Sequence, residues 1–127
     1  MKTFEIIPVA AARPRVTKRG TFYPEKYANY KKDMKLLAKS MYKTKLEGAV
    51  RADIAFYMPF VKGTSKVKCR ALDGTAHIKK PDADNLIKGV LDALNGVAYD
   101  DDSQVSVIFA YKKYSYFPRI EITLRCL

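Results

Sequence analysis

The feature that most constrains the fold is an alternation. Val50, Ala52, Ile54, Phe56 and Met58 are apolar, while Arg51, Asp53 and Tyr57 lie between them. A period of two over ten residues, Ala49 to Met58, is the pattern of a strand with one face buried and the other wet. Pro59 cannot continue the ladder and ends it. A half-buried strand needs other strands beside it and a layer over its apolar face. Two further segments qualify as neighbours: Val105 to Tyr111, with Val105, Val107, Phe109 and Tyr111 on one face, and Arg119 to Leu127, with Ile120, Ile122, Leu124 and Cys126 inward. The residues between them, Lys112 to Pro118, read as a hairpin loop. Thr3 to Ala10 begins as a strand, and the basic stretch Ala11 to Pro24 reads as a connecting loop.

The covering layer comes from helical spacing. Tyr30, Met34, Leu37 and Met41 recur along one side of Tyr27 to Lys43, opposite Lys31, Lys32, Lys35 and Lys39. Leu86, Ile87, Val90, Leu91 and Leu94 define a second helix, ended by Asn95-Gly96. A short helix near Ser65 to Leu72 is expected to stop at Gly74. The order is β-α-β-(α)-α-β-β, an α+β class with a mixed or antiparallel sheet and helices on one face. At 127 residues and 48% apolar content, the chain is expected to form one domain over residues 1–127 with a core that needs no metal or disulfide.

No apolar run reaches the roughly 18 residues that span a bilayer, and no basic amphipathic helix with a broad apolar face suggests membrane binding. Glu5 and Pro8 break up the N-terminus, so it reads as mature sequence. Cys69 and Cys126 are far apart and fit reduced thiols of a cytoplasmic protein. His77 is the only histidine, which excludes multi-histidine sites, and it is expected in a loop or against a phosphate.

The charge is uneven. The net value is +11, yet Asp82 to Asp102 holds six aspartates against the single Lys88, a balance of −5. The rest of the chain carries +16 and favours a polyanionic partner. Within the acidic segment, Asp82 or Asp84 suits a helix N-cap. Asp84, Lys88 and Asp92 share one helix face and can pair there. Asp100, Asp101 and Asp102 repel one another, and either a bound cation or an open, solvated loop accommodates them. From Asp84 to Leu94 the helix covers roughly 15 Å. The eight steps from Leu94 to Asp102 reach at most about 26 to 29 Å. Asp82, Asp84 and Asp101 or Asp102 can therefore converge. Clustered carboxylates suit Mg²⁺ or Mn²⁺, and such an ion among basic residues suggests phosphodiester hydrolysis, with Lys88 available to neutralise developing charge. The alternative is a solvated acidic loop beside a capped helix.

The pattern Asp82-x-Asp84-Asn85-Leu86-x-Lys88, then Asp92-Ala93-Leu94, then Asp101-Asp102-x-Gln104-Val105 resembles the RusA family of Holliday-junction resolvases. Arg13-Pro14-Arg15 and the helix from Tyr27 look, more loosely, like its phage and prophage branch. The resemblance implies a RusA-like fold and a homodimeric endodeoxyribonuclease. Such an enzyme uses Mg²⁺ or Mn²⁺ to cut four-way DNA junctions by paired nicks in recombination and repair, without a small-molecule cofactor. It makes Asp82, Asp84 and Asp102 the metal ligands, with Asp101 the second choice for the last, and Lys88 the catalytic lysine. Asp92 matches the pattern too and reads as a structural partner. The expected DNA contacts are Arg13, Arg15, Lys18, Arg19, Lys79 and Lys80. Two rivals stand beside this reading: a non-catalytic nucleic-acid-binding protein, and a nuclease for flaps or RNA.

Overall fold

A computed structural model describes all 127 residues. The elements are β1 (Lys2–Phe4), β2 (Arg15–Thr17), β3 (Gly20–Phe22), α1 (Glu25–Met41), β4 (Val50–Met58), α2 (Lys66–Leu72), α3 (Ala83–Ala93), β5 (Val105–Tyr114) and β6 (Arg119–Cys126), with a 3-10 turn at Asp102–Gln104. Strands β1, β6, β4 and β5 form one sheet in that order. β4 runs parallel to β5 and antiparallel to β6, which is antiparallel to β1. The fold is α+β with a mixed sheet, as the alternating and helical patterns require.

The inward residues of β4 form the centre of the core. Val50, Ala52, Ile54, Phe56 and Met58 are all nearly inaccessible. Rows run across the sheet from them: Phe4, Ile120 and Phe56 pair in one row, and Ile122 and Ile54 in the next. Tyr27, Tyr30, Met34 and Ala38 of α1 and Leu86, Val90 and Ala93 of α3 cover this face. The opposite face has no layer over it.

Several expectations needed correction. The first strand stops at Phe4, where the chain turns back on itself as the Ile6 N–H bonds Phe4 O, and Pro8 further on has no donor for a ladder. The basic connector contains a small hairpin, β2–β3, whose six residues are all exposed. Its tight turn uses Gly20 at φ +128°. Finally, β5 and β6 do not form a hairpin with each other. β5 continues through Lys112 and Lys113 to Tyr114 and pairs with one side of β4, while β6 takes the other side. The turn Ser115–Pro118 carries the chain past the end of β4, where the Ser115 N–H bonds Met58 O.

The alternation in β5 is also shifted. A bulge leaves Val105 opposite Val50 but places Val107 opposite Arg51. Val105 therefore packs against the core, whereas Val107, Phe109 and Tyr111 turn to the open face beside Arg51, Asp53 and Tyr57. An extra residue in one strand reverses the inside–outside phase beyond it. No helix is long and apolar enough to cross a membrane.

His77 lies in the loop between α2 and α3, as expected, and is buried there at 7% exposure. Its ring lies 4.6 Å from that of Tyr114, and its N–H bonds Lys112 O. Burial, then the charges of Lys112 and Lys79, holds its pKa below the ordinary histidine value. The unfolded chain therefore takes up this proton at a higher pH than the folded one, so stability falls as pH drops through about 6.5. We expect the melting temperature to decline between pH 7.5 and 5.5. Substitution of His77→Phe, which keeps an aromatic ring against Tyr114, should flatten that decline in a thermal melt followed by circular dichroism.

Candidate active site

Helix α3 positions the site. Its apolar stripe faces the sheet, and Asp84, Lys88 and Asp92, spaced by one turn, face outward. Gly89 permits a close crossing: a Cβ there would stand 3.3 Å from Val9 O and 3.5 Å from Ala11 N. The Ala11 N–H bonds Asn85 O. This contact lays the N-terminal connector along α3, so that Arg13 lines the same 340 Å³ cavity as Lys88, Asp92 and Tyr27.

The three consecutive aspartates have separate roles. Asp100 pairs with Lys45 at 3.1 Å. Asp101 caps the 3-10 turn, accepting from Ser103 N–H at 3.1 Å, and these hydrogen bonds hold its pKa below the usual range. Asp102 is half-buried and sits against Asp92. Its pKa is raised by desolvation, then by hydrogen bonding to Asp92 and by the charges of Asp101 and Asp92, with Lys88 opposing. Gln104 sets this arrangement. Its Oε1 accepts from the Asp100 and Asp101 N–H groups, and its Nε2 donates to Leu46 O and Gly48 O. The turn is thereby tied to the loop between α1 and β4.

Asp92, read from the sequence as a helix partner, stands at the centre of this group. It accepts from Tyr27 Oη at 3.4 Å and lies 3.6 Å from Lys88 Nζ. Burial, then Asp92, pushes the Tyr27 pKa up to about 12, so Tyr27 remains a donor. Asp82 and Asp84 are at the other end of the helix. Asp82 is the N-cap residue and pairs with Lys80 at 3.1 Å; Asp84 is exposed in the first turn. Asp82, Asp84 and Asp102 are not gathered into one cluster: no three His, Cys, Asp or Glu side chains stand together as a group able to hold a metal ion. They share a helix face and its flanking turn, with Lys88 between the two ends.

All six expected DNA-contact residues are exposed. Arg13, Arg15, Lys18 and Arg19 extend along and around the β2–β3 hairpin, beside the end of the site that holds Asp92. Lys79 and Lys80 precede Asp82. No local pattern points to the role of Lys112. It occupies the place in the Phe4–Ile120–Phe56 row where β5 would otherwise add an apolar residue. Its Nζ reaches out to Lys79 O at 2.5 Å and Pro81 O at 2.6 Å, holding the segment that leads into Asp82.

An exposed basic hairpin and a helix face bearing carboxylates and a lysine flank one another on an α+β scaffold. The sequence profile described as Endodeoxyribonuclease RusA matches residues 5–125, and the chain belongs to that family of Holliday-junction resolvases. It is also 39% identical to the uncharacterized protein YqaN of Bacillus subtilis (strain 168), over an alignment covering 93% of this chain and 89% of that protein.

Replacing Lys112 with methionine keeps the stem and removes hydrogen bonds to one exposed and one part-buried carbonyl, a cost of about 0.5–1.5 kcal/mol. Amide hydrogen exchange should quicken at residues 79–83 and remain unchanged in β4 and β6.

Proposed function

We propose that the chain is a metal-dependent endodeoxyribonuclease that resolves four-way DNA junctions by paired nicks, acting in the cytoplasm of a bacterium or of a phage-infected cell during recombination and repair. The observation that carries the reading is the family match over residues 5–125, joined by the position of Asp102, whose carboxyl pKa is raised by burial, then by Asp92 and Asp101, with Lys88 opposing. Two carboxyl groups face each other beside a helix that already bears Asp84, and a divalent cation would relieve their repulsion. The donor set is all carboxylate, which fits Mg²⁺ or Mn²⁺ and not a soft metal. The resemblance makes Asp82, Asp84 and Asp102 the ligands; they stand apart along the polar face of α3, so they would hold one ion together only if Asp102 left Asp92 and moved toward Asp84, with Asp101 kept to its capping role. When bound, the ion supplies Lewis acidity that polarises the scissile phosphate and lowers the pKa of a water.

The protein's own groups do the rest. Asp92 and Tyr27 orient the Lys88 ammonium, which donates to the phosphate oxygen on which charge develops. Arg13, Arg15, Lys18, Arg19, Lys79 and Lys80 bind flanking phosphates. Buried His77 takes no part in proton transfer. Wild-type protein with Mg²⁺ or Mn²⁺ should nick a four-way junction in preference to flap, linear duplex or RNA. Asp84→Asn and Asp102→Asn should each abolish nicking while junction binding is retained or strengthened. Wild-type protein that binds but never nicks would instead support the non-catalytic rival.

Paired nicks call for two sites related by a two-fold axis, and the open face of the sheet is where a second copy fits. Part of its charge is paired within the chain, Arg51 with Asp53 at 2.9 Å and Arg119 with Glu121 at 3.0 Å, while Arg125 and Lys113 are left in excess. Phe109 remains 64% exposed among them. Substitution of Phe109→Glu should convert a dimer to a monomer in sedimentation velocity without lowering the melting temperature.

A further inference from the structure

A cavity of about 610 Å³ has Asp82 and Asn85 in its wall and does not include Lys88. Resting on the reading of the chain as a junction nuclease, we propose that this cavity receives one nucleobase, unstacked from the crossover beside the scissile phosphate. Three observations lead there. The first is position: Asp82 and Asn85 of α3 form part of the cavity wall, so an occupant is joined directly to the site of cutting. The second is size. The volume falls in the range of small-molecule sites, about 300–1,000 Å³, which is too large for an ion alone and too small for a duplex.

The third is chemistry. The wall is apolar and aromatic, with Val9, Met58, Phe60 and Val61. Phe60 is held rigidly: it stacks on Tyr114 at 5.8 Å and 8°, and Tyr116 meets it edge-on at 5.0 Å. Tyr114 in turn rests on buried His77. The rim is different, carrying Lys26 and Lys80, with the exposed amide of Asn85 offering both a donor and an acceptor. An occupant with a flat apolar face, a hydrogen-bonding edge and an attached anion matches all three features, and in DNA that is a base on its phosphate. Unstacking is least costly where pairing is already interrupted, as at a crossover.

The test compares an intact four-way junction with one lacking the single base beside the cut, and a control lacking a base several pairs away. Binding is measured by competition in EDTA, so that no cleavage is needed, and nicking is then measured with Mg²⁺. Wild-type protein should lose roughly 5- to 100-fold in affinity or nicking rate on the first substrate, the value of stacking one base, and little on the control. Val61→Trp fills the cavity from a position that is 59% exposed, so folding is spared. This variant, and Phe60→Ala independently, should treat the intact and abasic junctions alike. If wild-type protein itself makes no distinction between them, or Val61→Trp retains the full distinction, the proposal is overturned and the nuclease reading stands. If the distinction appears in binding but no junction is ever nicked, the nuclease reading fails and the base pocket survives.

Discussion

The burial of one stripe of α3 against the sheet is the constraint on which the other parts depend. Leu86, Val90 and Ala93 anchor the helix in the core, and this alone forces Asp84, Lys88 and Asp92 outward. The helix also serves as the docking surface for segments on every side. Gly89 admits the N-terminal connector, and Tyr27 reaches Asp92 from α1. Tyr99 Oη bonds Leu91 O at 2.7 Å from the loop that follows, which starts the chain back toward the aspartate triplet. A helix fixed less firmly would leave its polar face without partners at defined distances.

The parallel pairing of β4 and β5 is the second determinant. It places the start of β5, and the 3-10 turn just before it, at the same end of the sheet as the start of β4, where Gln104 grips the preceding loop. It also sends the far end of β5 toward the approach to α3, where Lys112 holds Lys79 and Pro81. One strand thus connects both ends of the candidate site. The half of β5 near Ala76 and His77 has its edge partly covered by that segment. The half near Phe109 is left open, on the face we assign to a second copy.

Electrostatically, the molecule sets a compact acidic patch within a basic surface. Its basic residues are spread over the hairpin, the helix surface and the loop before α3, while its carboxylates concentrate along one helix face and one turn. The pairs Lys80–Asp82, Lys88–Asp92 and Lys45–Asp100 are all exposed on at least one side, so each is weak enough to be exchanged for a cation or a phosphate.

Much was legible in the residues themselves. Strand β4, helices α1, α2 and α3, and the spacing of Asp84, Lys88 and Asp92 follow from periods of 2 and 3.6, because burial on one side is a local, repeating demand. The RusA motif was legible for the same reason: its residues lie within one helix and one turn. What local pattern could not supply was partnership across the fold. The bulge in β5 turned Phe109 outward, the crossover past β4 replaced an expected hairpin, and Lys112 proved to be a clamp. Asp102, not its two neighbours, was set against Asp92. Each of these depends on which segments meet after the chain has closed on itself, a choice made by packing and hydrogen-bond satisfaction between residues far apart in sequence.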